Sequence, residues 1–121
     1  MGVGFGIMCG VAWLLRDGEV LASLEVADGW RDRARGLLGR DGIDGALLLA
    51  PARSVHTIGM RFPIDVAFCD ADLQVIRLLT LPRYRMSRPV WRARNVIEAE
   101  AGAFARWNLR PGDRLEVKGG D

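Results

Sequence analysis

The chain is 121 residues long, half hydrophobic and 26% charged, with 15 glycines, five prolines and a net charge of +2. That length suits a single domain, residues 1–121, built around one core, and the apolar share excludes a disordered chain. Two cysteines cannot staple a disulfide scaffold, and no fixed period recurs that would signal a repeat array.

Residues 1–15 carry no charge, but Gly2, Gly4, Gly6 and Gly10 interrupt them and Arg16 ends the run. A spanning helix needs about 20 apolar residues, so no membrane span is expected. A secretory signal would want a basic start and a small-x-small cleavage site, and neither is present. Residues 1–9 therefore read as a loose leader, and the expected location is the cytoplasm.

Val11–Arg16 and Glu19–Ala27 are apolar or alternating runs joined by Asp17-Gly18, a strong two-residue hairpin signal. Alternation in the second run places Val20, Ala22, Leu24 and Val26 on one face. Asp28 can cap a helix in which Trp30, Ala34, Leu37 and Leu38 recur at helical spacing, with Gly39 ending it. Ala46–Ala50 reads as a short buried strand stopped by Pro51, and Ser54–Ile58 as another, broken at Gly59. Pro63–Asp70 alternates, with Ile64, Val66 and Phe68 toward the core and Asp65, Ala67 and Cys69 away from it. Asp70-Ala71-Asp72 turns the chain into a strand over Leu73–Leu81.

Residues 82–94 hold Pro82 and Pro89 among five arginines and read as a long irregular loop. Asn95–Glu100 is a further strand, and Gly102–Asn108 a short helix. Pro111-Gly112 suits the centre of a type II turn before a closing strand over Arg114–Lys118. Seven or eight short strands with two short helices predict a mainly β domain (β-rich α+β), a small barrel-like fold that hides its edges.

The charge is unevenly spread. Between Leu73 and Ile97 there is no acidic residue, while Arg77, Arg83, Arg85, Arg88, Arg92 and Arg94 all fall there. Six positive charges in one stretch of a chain with net charge +2 leave the remainder at −4, so one basic segment sits on a mildly acidic body.

Several segments taken together resemble a known family. Arg33-Ala34-Arg35-Gly36-Leu37-Leu38-Gly39-Arg40 comes first, then Gly59-Met60-Arg61-Phe62-Pro63-Ile64-Asp65-Val66-Ala67-Phe68. Ala101-Gly102-Ala103 and Leu109-Arg110-Pro111-Gly112-Asp113 complete the set. Over residues 19–118 the chain looks like the domain of unknown function 192 family, small prokaryotic proteins with a β-rich fold. The resemblance implies that fold and carries no agreed activity, so it assigns no catalytic residue. Many members of the family carry export signals, which this sequence is not expected to carry.

The chemistries divide by residue type. His56 is the only histidine, which excludes a zinc site built from several imidazoles. His56 and Met60, joined by Met86, form a candidate set for copper or another soft metal, weighed against a histidine bonded to backbone and methionines that fill the core. Cys69 adjoins Asp70, whose charge raises a thiol pKa, so it is expected to be an inert strand residue. No serine sits in a nucleophile elbow, and no phosphate-binding glycine loop is present. Asp65 is read as a structural carboxylate that pairs with Arg61 or accepts loop amides, holding the Met60–Pro63 segment. Its catalytic alternative is a small enzyme cleft of His56, Met60, Arg61 and Asp65 with His56 as acid or base.

The basic loop gives the leading expectation, a non-enzymatic binding or accessory module without a cofactor. Arg83, Arg85, Arg88, Arg92 and Trp91 would meet an anionic small molecule or protein partner, since guanidinium forks bind phosphate or carboxylate bidentately. With a net charge of only +2, nucleic acid is the less favoured anion.

Overall fold

A computed structural model describes residues 11–27, 42–54, 62–83 and 85–120. Seven strands form one sheet: β1 Val11–Arg16, β2 Glu19–Ala27, β3 Ala46–Leu49, β4 Ile64–Cys69, β5 Val75–Leu81, β6 Asn95–Glu100 and β7 Glu116–Gly120. One short helix, α1 Ala103–Arg106, stands between β6 and β7. The strand order is β5-β4-β6-β3-β2-β1-β7, antiparallel throughout except for the parallel β2–β3 pair.

The turns follow from local chemistry. Asp17 and Gly18 both have positive φ, at 53° and 79°, as a two-residue hairpin that matches strand twist requires. Gly112 has φ 94°, and the Asp113 amide donates to the Arg110 carbonyl at 3.1 Å, closing the predicted Pro-Gly turn. Asp70 Oδ1 accepts the amides of Asp72 and Gln74 at 2.9 and 3.0 Å, which fixes the turn from β4 into β5.

The sheet buries both faces. One face carries Leu14, Leu24, Leu48, Ala67, Ile97 and Ala99 with Phe104, Leu109 and Leu115 packed on them. The other carries Leu47, Leu49, Ile64, Val66, Phe68 and Val96 under Ile43 and Ala93. All six residues of β4 are buried, so Asp65, Ala67 and Cys69 do not face away from the core as their alternation suggested. A central strand covered on two sides has no wet face.

Two further expectations are corrected. Val20 does not share the face of Ala22 and Leu24, and is 53% exposed. Pairing of Leu14 with Ala22 and Leu15 with Val20 leaves Leu21 as an extra residue, a bulge that breaks the alternation. The seven strands among the described residues agree with the expected seven or eight, while Ser54, the one described residue of the expected 54–58 strand, lies outside any strand. The predicted helix over 28–39 and most of the predicted strand over 54–58 lie outside the described residues.

Finally, the sheet does not close into a barrel. Its ends are held together by an isolated Gln74–Arg114 bridge and by backbone bonds joining Val75 to Gly112 and Asp113 and Leu115 to Leu73. The rest of the gap is taken up by residues 102–110, which share a cavity lining with Leu78, Leu79 and Thr80.

Gly45 marks a close approach. It has φ 94°, and a Cβ there would stand 2.6 Å from the Ser23 carbonyl oxygen. Gly45→Ala therefore combines backbone strain with a clash against β2, and is expected to cost about 2 kcal/mol in chemical denaturation. A loss within experimental error would show that the β2–β3 entry yields freely.

Candidate functional site

The basic loop runs from Pro82 to Arg94, between β5 and β6. Its second half is a formed structure. The Ala93 amide donates to the Val90 carbonyl at 2.9 Å, closing a four-residue turn with Trp91 and Arg92 at its centre. Val90 packs on the second cluster and Ala93 is fully buried, so the two outer positions anchor the turn. Residues 52–53 fasten it further: the Val90 amide donates to the Arg53 carbonyl and the Ala52 amide to the Arg94 carbonyl, both at 2.9 Å. Trp91 is left 73% exposed and Met86 70%, well above the other exposed large apolar residues.

The arginines gather around this turn. Arg53 Nε and Arg94 Nη1 both donate to the Ala93 carbonyl, at 3.3 and 3.2 Å. Two guanidiniums thereby converge beside the Trp91–Arg92 tip. Arg88 and Arg92 are exposed. Among the described residues, ion pairs join Arg16 to Asp113 and Arg106 to Glu100, and none joins Arg53, Arg88, Arg92 or Arg94 to a carboxylate. Arg83 and Arg85 are exposed and make further interactions of their own.

Asp65 is a structural carboxylate. It is 4% exposed; Oδ1 accepts the Thr80 hydroxyl at 2.6 Å, and Oδ2 accepts the Gly102 and Phe104 amides at 3.0 and 3.1 Å. It ties β4 to β5 and to the start of α1; Met60 and Arg61 of the segment it was expected to hold lie outside the described residues. Cys69 is buried in the first cluster, where desolvation, then the charge of Asp70, push its thiol up to about 12. A thiol so shifted is no nucleophile at neutral pH.

Glu98 is the group that sequence reasoning missed. It sits in register between Leu47 of β3 and Val66 of β4, 3% exposed, and its Oε1 has no hydrogen-bond partner among the described residues. Desolvation raises its pKa to about 7. The available signal was an acid at the middle of an otherwise apolar strand run, Val96-Ile97-Glu98-Ala99.

The same fold occurs in known proteins. The DUF192 family, described as "Uncharacterized ACR, COG1430", matches residues 12–117. The chain belongs to the DUF192 family. Two archaeal relatives are similar along nearly their whole length. The UPF0127 protein PF1050 of Pyrococcus furiosus is 29% identical over 103 residues, 81% of this chain and 89% of that protein. The UPF0127 protein PH1112 of Pyrococcus horikoshii is 30% identical over 105 residues, 83% and 88% of the two chains.

Two crystal structures share the fold. A protein of unknown function from Novosphingobium aromaticivorans superposes with a TM-score of 0.71 at 18% identity, covering 88% of this chain and 83% of the other. A Sinorhizobium meliloti protein, described as a candidate transcription regulator, gives 0.73 at 22% identity, with coverage of 89% and 92%. These superpositions show a shared fold alone.

Within this DUF192 domain, Arg88, Trp91 and Arg92 lie on one exposed loop, with Arg83 and Arg85 at its start. Arg53 and Arg94 join them in space, an addition that linear spacing could not supply for Arg53. Of the alternative cleft, Asp65 is placed as above, and His56, Met60 and Arg61 lie outside the described residues. Met86, the third member of the soft-metal set, is exposed to solvent. No cluster of three or more His, Cys, Asp or Glu suited to a metal occurs among the described residues. No described helix is long and apolar enough to cross a membrane.

Proposed function

We propose that this DUF192 chain is a non-enzymatic binding module whose 82–94 loop, with Arg53, engages an anionic partner. The observation that carries the reading is the convergence of Arg53 and Arg94 on one carbonyl beside the Trp91–Arg92 turn, with no carboxylate neutralising them among the described residues. Guanidiniums with no carboxylate partner among the described residues keep their remaining N–H groups for phosphate or carboxylate. The fixed turn supports the reading, because a preordered loop loses little conformational entropy on binding.

The test is retention of the full chain on heparin at low salt. Wild type is expected to bind and to elute with rising NaCl. An Arg88→Ala/Arg92→Ala variant is expected to elute earlier, its log–log salt slope reduced by about 0.7–0.9 for each anionic group it no longer neutralises. Duplex DNA is included as a competitor, given the description of the S. meliloti relative. Failure to retain wild type on any polyanion at low salt, or equal retention of the variant, overturns the proposal.

A further inference from the structure

We infer that the anionic partner is a lipid bilayer surface, on which Trp91 and Met86 seat in the headgroup region while the surrounding arginines meet lipid phosphates. This deepens the reading above and rests on it. Trp91 and Met86 are the two most exposed large apolar side chains among the described residues, and both fall in the stretch without acidic residues. The 90–93 turn places Trp91 beside Arg92 at a tip whose base is pinned by buried Ala93 and half-buried Val90. Indole has an apolar body and a polar N–H, which suits a membrane interface, and arginine reaches from there to phosphate.

The shape of the site favours a surface over a soluble anion. A small phosphate compound is held by donors converging on one concavity. Arg53, Arg88, Arg92 and Arg94 are each exposed, and an array of phosphates is the anion that can meet several of them at once. A bilayer also takes up the exposed indole and thioether, which a soluble anion leaves in water.

The experiment is co-sedimentation of the full chain with phosphatidylcholine vesicles, with and without phosphatidylglycerol, alongside the heparin column. Binding is expected only with phosphatidylglycerol. Arg92→Ala is expected to lower partitioning about fivefold. Trp91→Ala is expected to lower it about tenfold while leaving heparin retention nearly unchanged. Both side chains are exposed, so the variants fold.

Retention on heparin without vesicle binding overturns the bilayer and leaves the anion-binding reading standing. Loss of both overturns both. Equal binding to the two vesicle types, indifference to Trp91→Ala, or displacement of the vesicles by DNA through the same residues would each reject a lipid surface as the partner.

Discussion

Asp65→Ala is expected to lower the unfolding free energy by about 4 kcal/mol, measured by chemical denaturation. The carboxylate serves three donors from separate parts of the chain: a strand hydroxyl at Thr80 and two amides at Gly102 and Phe104. Removing it leaves the buried Phe104 amide without a partner, the part-buried Gly102 amide poorly solvated, and the Thr80 hydroxyl unpaired. Each buried donor so orphaned costs about 1–3 kcal/mol.

The total is a large part of a typical domain's roughly 5–15 kcal/mol, so the alanine variant could fail to fold. Asp65→Asn provides the second reading. An amide oxygen can still accept from the two backbone donors while its nitrogen turns to the Thr80 oxygen, so about half of the loss is expected to return. A cost below about 1 kcal/mol for the alanine variant would mean that the tie between β4 and the start of α1 is dispensable.

A second large effect is expected with pH. Glu98 titrates near 4.5 when unfolded and near 7 when folded, because burial disfavours the charged form. Below 4.5 the group is neutral in both states and its ionisation costs nothing. As pH rises, the unfolded chain releases its proton first, so stability falls by about 1.4 kcal/mol per pH step until about 7, then levels off. Across that window the loss comes to about 3 kcal/mol. Glu98→Gln, which cannot ionise, is expected to lie close to wild type near pH 4 and to exceed it by about 3 kcal/mol near pH 8. Denaturation curves at the two pH values check this. Parallel pH dependence in wild type and variant would show that the carboxyl ionises without penalty in the folded protein.

How much of this the sequence disclosed depends on the range of the interactions. The Asp17-Gly18 hairpin and the Pro111-Gly112 turn were legible because a positive φ is a local demand that few residue types meet. Strand positions were legible from apolar runs, and Val11–Arg16, Glu19–Ala27 and Asn95–Glu100 have the predicted bounds.

Features set by distant partners were not legible. The Leu21 bulge depends on how β1 lies against β2, and it turned Val20 outward against its own alternation. The open sheet depends on α1 and its flanking turns occupying the space where β5 and β7 would otherwise meet. Glu98 looked like any strand acid until β3 and β4 were placed on either side of it. The site divides in the same way. The basic loop was visible as five arginines without an acid, whereas the approach of Arg53 to Arg94 required the 52–53 backbone to be docked on the loop.

The position of β1 has a consequence for biosynthesis. On one side it pairs with β2 through a tight hairpin, and on the other with β7, where Val11 meets Gly120. A ribosome therefore delivers the first hairpin early, but one flank of β1 waits until nearly the whole described chain has emerged. Pairings so distant along the chain carry the largest loop-closure entropy and form slowly. During translation, the nascent protein carries an unfilled edge on its first strand, the kind of edge that chaperones shield.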